Sequence, residues 1–170
     1  MANTYTLIAS NTLSSSAASV TFSAIPNTYT DLILKISVRD TQTGTALNFR
    51  LDINSVSADN SRTYILGDGA SATSARNTAN TFILGNSMVP AASATSNTFG
   101  NIEVYIPNYA GSTVKPVSIF GVSENNATTS YINATAGLHN RTAAISSLYI
   151  EANTNFVSGS SFFLYGIKNS

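Results

Sequence analysis

The stretch FGNIEVYIPNYAGS (residues 99–112) places one carboxylate, Glu103, two positions before the aromatic ring of Tyr105. Glycoside hydrolysis uses two carboxyl groups roughly 5 to 10 Å apart, one of them with a raised pKa. The acids nearest to Glu103 in the chain are Asp68 and Glu124, and each belongs to a separate segment. The alternation of residues 101–106 also assigns Glu103 to solvent or to an interface. We therefore predict that this chain is not an enzyme.

The sequence offers equally few candidate residues for a nucleophilic mechanism. His139 is the only histidine, so a Ser-His-Asp system would have to use it as its base. It follows an apolar strand pattern in GLHNRT and lies two residues from Arg141, whose charge disfavours protonation of the imidazole. No Gly-x-Ser-x-Gly turn accompanies it. We interpret His139 as a loop or cap residue with no catalytic role.

Metal and cofactor sites are not indicated either. The run DINSVSADN offers oxygen ligands, but their spacing does not match the calcium loop of a helix-loop-helix site, which also needs a terminal bidentate Glu. The segment GDGAS (67–71) is typical of a turn, since phosphate loops need GxxxxGK[ST] or GxGxxG before a helix. The chain has no cysteine. We expect no metal and no cofactor.

Tyrosines and asparagines provide the remaining candidates for recognition. Tyr side chains can stack on sugar rings, although a Tyr in a strand often fills a core edge or a subunit interface instead. Asn108 lies in a Pro-Asn-Tyr-Ala-Gly turn, and SENNATTS (123–130) is an Asn-rich loop. The predicted contacts to a partner or a glycan are Tyr105, Asn108, Tyr109, Asn125, Asn126 and Tyr131.

The composition indicates an almost uncharged surface. Only 9% of residues are charged and the net charge is zero, whereas about 25% is usual. Polarity comes instead from 25 Ser, 21 Thr and 19 Asn residues. Binding to nucleic acid or to an anionic membrane needs clustered Lys and Arg, so neither partner is expected. A chain without net charge also repels its own copies weakly, which favours self-association.

The amino terminus, MANTYTLIAS, lacks the basic start and the apolar stretch of a secretion signal. No run approaches the ~18 apolar residues of a membrane span. These features predict synthesis in a host cytoplasm without secretion, and they allow release on a particle freed by lysis.

Apolar residues recur with period two almost throughout, which predicts strands with one buried face. In DLILKISVR (31–39) the even-numbered positions from Leu32 to Val38 are apolar, while Lys35 and Arg39 belong to the other face. Leu47, Phe49, Leu51 and Ile53 repeat this pattern. Nine further strands are predicted at 4–10, 19–25, 62–67, 80–85, 101–106, 116–123, 130–138, 145–152 and 161–167.

About 8 to 11 strands at this spacing predict an all-β, antiparallel β-sandwich of the jelly-roll or Greek-key type. One domain over residues 1–170 accounts for the length, with 1–16 as an N-terminal arm or an edge strand. Segments 9–19 and 69–80 have low complexity, and we interpret both as loops.

Five stretches carry a family resemblance: IPNTYTDLILKISVRD, the Gly67-Asp68-Gly69 turn, FGNIEVYIPNYAG, SENNATTSYINATAGLHNRTAAISSLYIEA and NFVSGSSFFLYGIK. In this order they resemble small all-β virion proteins of tailed bacteriophages, from about residue 17 onward. AGL-x-NxTAAI and LYGIK are the most specific pieces. The resembling stretches hold no catalytic signature, and His139 stands where many relatives have Trp.

The resemblance implies a virion surface protein, either a head decoration (cement) protein or the distal domain of a tail fibre. The strand pattern spans residues 4 to 167 without a fibrous shaft, which favours a decoration protein that clamps capsid subunits. The expected partners are the major capsid protein and further copies of this chain, as a homotrimer. A tail-fibre domain that binds host surface glycan is the alternative.

Overall fold

The computed structural model describes residues 4–56, 58–126 and 129–168. These residues form twelve β-strands and no helix, which confirms the all-β prediction. The strands are β1 (Tyr5–Thr12), β2 (Ala17–Phe22), β3 (Asp31–Val38), β4 (Ala46–Ile53), β5 (Asn60–Gly67), β6 (Ala72–Asn80), β7 (Ile83–Pro90), β8 (Gly100–Ile106), β9 (Lys115–Ser123), β10 (Tyr131–His139), β11 (Leu148–Phe156) and β12 (Ser161–Ile167).

Two antiparallel sheets pack face to face. The smaller sheet has the order β2-β11-β4-β7, and the larger one begins with β1-β12-β3-β8. Along the chain these strands alternate between the two sheets except at β4 and β7, which both lie in the smaller sheet; this is the order of a jelly roll, so the predicted sandwich is of that type. The N-terminal segment contributes β1, an edge strand of the larger sheet.

Two hairpins are inserted into this eight-stranded framework. The pair β5–β6 lies between β4 and β7 in the chain, and β9–β10 lies between β8 and β11. They extend the larger sheet beyond β8 in the order β9-β10-β5-β6, so that sheet has eight strands against four in its partner. The smaller sheet does not cover the whole inner face of the extension, and β6 is exposed on both faces.

The core lies between the sheets where period two predicted it. In β3 the inward positions Leu32, Leu34, Ile36 and Val38 are all buried, and in β4 Phe49, Leu51 and Ile53 are buried. Strand propensity and burial agree here, because each β-branched or aromatic side chain packs on a pleated face that excludes water.

Arg39 departs from its predicted place on the solvent face. Its side chain is buried, and its guanidinium donates hydrogen bonds to the carbonyl oxygens of Thr95 at 2.9 Å, Thr98 at 3.0 Å and Ala94 at 3.0 Å. The loop between β7 and β8 therefore folds around this cation. Carbonyl acceptors satisfy the buried charge that an alternating pattern would send to water.

The two segments interpreted as loops are partly strands, which corrects the sequence analysis. Residues 69–80 contain β6, and residues 9–19 contain the end of β1 and the start of β2. Strand β6 lacks apolar alternation because neither of its faces meets the core. Low complexity was therefore a sign of exposure, and it did not exclude regular structure.

Candidate docking face

The outer face of the larger sheet carries an apolar row that the inserted hairpins build. Glu103 in β8 is paired with Phe120 in β9, Phe120 with Ala134 in β10, and Ala134 with Ile65 in β5. The adjacent row pairs Val122 with Ile132. We call Ile65, Phe120, Val122, Ile132, Ala134 and Ala136 together the docking face.

The docking face is grooved. Ala134 and Ala136 form a low floor along β10, and Phe120 on one neighbouring strand and Ile65 on the other form its walls. The groove has a volume of about 410 Å³ and its lining is almost wholly apolar. Such a shape accepts projecting side chains from another surface.

Three of these side chains are unusually exposed for their type. Ile65 is 61% exposed, Ile132 52% and Phe120 51%. Each of them gains roughly 25 cal/mol for every Å² of apolar surface that leaves water. A contiguous exposed apolar patch of this kind marks an interaction surface more often than a single exposed Leu or Ile does.

One ion pair borders the docking face. Lys35 donates to the carboxylate of Glu103, and the two side chains are 50% and 42% exposed. Glu103 lies on the outer face, as predicted, and its carboxylate is engaged by a cation. No second carboxylate joins it within the residues that line the two grooves beside it.

Tyr105 and Asn108 lie at one end of this outer face and are organised by a single acid. The hydroxyl of Tyr105 donates to Oδ2 of Asp31 at 2.9 Å, and the backbone N–H of Asn108 donates to Oδ1 at 2.9 Å. The hydrogen bond to Asp31 raises the pKa of Tyr105, since it stabilises the protonated phenol. Asn108 adopts a positive φ of 47°, which confirms the predicted turn.

Tyr109 belongs to the core. Its ring is completely buried, and its hydroxyl donates to the carbonyl oxygen of Pro26. Burial raises the pKa of its phenol. The side chain therefore fixes the β8–β9 turn from within, and its ring is closed off from the surface of the described chain.

Asn125, Asn126 and Tyr131 lie at the opposite end of the sheet. The Oε1 atom of Glu124 accepts hydrogen bonds from the backbone N–H of Asn126 at 2.8 Å, the hydroxyl of Ser130 at 3.2 Å and the backbone N–H of Asn125 at 3.0 Å, and these bonds lower the pKa of Glu124. Asn125 is buried and donates to the carbonyl of Thr129. The predicted contact residues thus form two clusters, separated by the length of the strands.

A cleft of about 310 Å³ adjoins the second cluster. Tyr131 and Ile132 line one part of it, and Glu124, Ser130 and Gly69 line another. The cleft combines one aromatic ring with a carboxylate and a hydroxyl. It opens beside the docking face, because Ile132 belongs to both.

A buried polar cluster lies on the inner face of the inserted strands. The Nδ1–H of His139 donates to Oδ1 of Asn60 at 2.9 Å, while Nδ2 of Asn60 donates to the carbonyl of Thr81 at 2.8 Å. His139 is the last residue of β10 and is completely buried, so its interpretation as a loop or cap residue was wrong. Burial lowers its pKa, and the charges of Lys115 and Arg141 lower it further, against the opposite effect of Asp59.

Within the described ranges, no three His, Cys, Asp or Glu side chains form a group that could hold a metal ion. The same residues contain no helix that is long and apolar enough to cross a membrane.

The docking face was missed from the sequence because β10 inverts the usual pattern. In YINATAGLH the apolar positions Ile132, Ala134 and Ala136 face outward, while Asn133 and Thr135 are buried. The sequence signal that could have revealed it is the set of polar residue types on the opposite face of β10. The pattern of β10 offers its apolar face to a core, and the structure instead buries the polar face that carries Asn133, Thr135 and His139.

No protein-family model matches this sequence, and none of the curated proteins is significantly similar to it. The fold and its surface define the chain as a jelly-roll β-sandwich whose larger sheet is extended by two hairpins that bear an exposed apolar groove.

Proposed function

We propose that this chain is a structural virion protein, a head decoration (cement) protein that clamps capsid subunits on the outside of a tailed phage. The observation that carries the proposal is the docking face, whose apolar residues all belong to strands added to a complete jelly roll and form a groove that only Glu103 borders with a charge. Strands that the core does not require are explained by a partner that they contact. The resemblance supplies the identity of that partner.

The size of the outer face suits such a contact. Eight strands spaced about 4.8 Å apart and about 25 Å long give roughly 900 Å². A stable protein interface needs roughly 800 Å² from each partner. Contacts between apolar groups, hydroxyls and amides are also insensitive to salt, whereas exposed ion pairs are screened over about 10 Å at 0.1 M salt.

Binding to expanded capsids stabilises them by mass action, because only the expanded lattice presents the complete partner surface. No bond is made or broken. Copies of the chain meeting as a homotrimer would cover adjacent capsid subunits and multiply the strength of each single contact.

The test is co-sedimentation of the purified protein with expanded heads, using wild type, Phe120→Lys and Ile132→Lys. Both side chains are more than half exposed, so the substitutions leave the fold intact and place a charge in the contact. We expect each variant to bind at least about tenfold more weakly. Val114→Lys is the matched control, since Val114 is 39% exposed in the β8–β9 turn and lies outside the docking face. Binding by the lysine variants at wild-type strength contradicts the proposal.

A tail-fibre domain that binds glycan is the second candidate, favoured by the cleft beside Tyr131. Its aromatic ring, the Glu124 carboxylate and the Ser130 hydroxyl are the groups that a sugar site uses. This function requires a glycan-array signal that Tyr131→Ala abolishes and that Tyr105→Ala leaves unchanged. Attachment to host cells in place of expanded heads would favour this candidate over the first.

A further inference from the structure

The outer edge of the larger sheet is an open strand. Strand β6 pairs with β5 on one side, and its other side has no neighbouring strand. Eight of its nine residues are exposed. Its register with β5 is unbroken from Ala72 to Asn77, so its outward N–H and C=O groups form a regular row. A regular, unpaired row of this kind is a template for another strand.

The other three edges offer shorter regular rows than β6 does. The pairing of β1 with β12 is interrupted at Ile8, β2 has only six residues, and β7 has a register shift and ends in Pro90. Strand β6 has no proline and no lysine. Irregularity, shortness and proline are the usual devices against strand addition. Strand β6 has one such irregularity, the register shift between Asn77 and Asn80, and its stretch from Ala72 to Asn77 is the longest regular row among the four edges, which leaves it open to pairing.

The charge of Arg76 restricts which strands can pair with β6. Arg76 is the only charged residue of β6 and the fifth of its nine residues. Its register partner in β5 is Thr63, so its side chain lies on the same outer face as the docking face. No carboxylate of the described residues forms an ion pair with it. Asp59 lines the same cleft, but its carboxylate pairs with Arg141.

A second copy of this chain is a poor occupant. Antiparallel pairing of two β6 strands over their full length puts residue 76 opposite itself, and two like charges directly opposite are destabilising. The other edges offer no remedy, because β1, β2 and β7 contain no Asp or Glu. Every pairing between described edge strands of two copies leaves Arg76 without a counter-charge on the added strand.

We propose that β6 receives an extended segment of a different protein, which adds as a ninth strand and places an Asp or Glu opposite Arg76. Backbone hydrogen bonds along Ala72–Asn77 supply most of the affinity, and the ion pair selects the segment and its register. This inference rests on the strand edge and on one charge. It holds whether or not the docking face binds a capsid.

The test uses two soluble nine-residue peptides of alternating Thr and Val, one with Glu and one with Lys at the centre. Hydrogen exchange measured with millimolar peptide at low salt is expected to show slowed exchange of β6 amides with the Glu peptide. Titration is expected to give about tenfold tighter binding of the Glu peptide than of the Lys peptide, because the central pair changes from attraction to repulsion. Arg76→Glu, a change at an exposed side chain, is expected to reverse that order.

Several results overturn the proposal. One is that neither peptide slows the exchange of β6 amides. Another is that the two peptides bind equally well to wild type and equally well to Arg76→Glu. Alternatively, β6 amides of the wild-type protein become protected as its own concentration rises, which would make a second copy the occupant. The variant Arg76→Thr complements this measurement of wild-type self-association. Without the arginine, β6 is expected to pair with itself, and sedimentation should then detect additional association.

Discussion

Lys115 and His139 lie opposite each other on the neighbouring strands β9 and β10, and both are completely buried. The ammonium of Lys115 donates to the carbonyl oxygens of Gly111 at 2.7 Å, Thr113, and Thr142 at 3.2 Å. One cation thus joins the β8–β9 turn to the loop that follows β10. The imidazole beside it has its Nε2 atom without a hydrogen-bond partner among the described residues.

The single histidine makes stability depend on pH in a narrow window. Its pKa in the folded state is below the usual 6.5, first because of burial and then because of Lys115 and Arg141. The unfolded chain therefore takes up the proton first, so full stability is present above pH ~6.5 and is lost as the pH falls below it. Urea unfolding at a series of pH values from about 7.5 to 5.5 should show this decline.

His139→Gln is the control for that measurement. Glutamine removes the titrating group, so its free energy of unfolding is expected to be nearly constant over the same range, whatever its absolute value. An equal decline in both proteins would show that another group is responsible.

Removal of the Lys115 ammonium should lower the free energy of unfolding and raise the pKa of His139. Lys115→Met keeps most of the apolar stem and leaves three carbonyl oxygens without their donor, so we expect a loss of about 2 kcal/mol in the free energy of unfolding. The pKa of His139 should rise, because one of the charges that lowers it is gone. Urea unfolding and an NMR titration of the imidazole measure the two effects.

Lys35→Met is the matched comparison, since Lys35 makes its ion pair on the exposed outer face. It should change stability little and leave the His139 titration where it is. A Lys115→Met protein as stable as wild type would show that burial of the charge costs as much as its hydrogen bonds return.

Period two predicted the strands of the jelly roll because one side of each is apolar and one sheet covers it. Leu32 to Val38 in β3 follow this rule. The rule fails in the inserted hairpins, where Ile132 faces outward over buried Asn133 and β6 has no buried face. Which face of a strand is covered depends on the opposite sheet, and that information lies in distant residues. The carbonyl acceptors of Arg39 could not be predicted for the same reason, because they belong to a loop more than fifty positions away.

The loop around Arg39 should depend on the planar guanidinium. Its NH1 and NH2 groups reach four carbonyl oxygens, those of Ala92, Ala94, Thr95 and Thr98. Arg39→Lys keeps the charge and loses the fork that makes these bonds at once, so we expect a loss of about 2 kcal/mol and faster hydrogen exchange in residues 91–99.

Arg50→Lys provides the matched test of arginine geometry. Arg50 makes one 3.2 Å ion pair with Glu151 and is about one-third exposed. We expect its replacement to cost less than about 1 kcal/mol, without a change in loop exchange. Similar effects at the two positions would contradict the role assigned to Arg39.

Gly166 in β12 is required by the ring of Tyr29. A Cβ atom at this position would lie 2.3 Å from the nearest ring carbon, which is closer than carbon atoms approach. Gly166→Ala should therefore destabilise the protein by about 1 to 3 kcal/mol, because the ring and the segment that carries it have to move. Tyr29→Leu in the same chain removes the ring, so the additional cost of the alanine should shrink by at least about 1 kcal/mol in a double-mutant cycle. If the alanine cost the same with and without the ring, the constraint would come from the backbone of β12 and not from Tyr29.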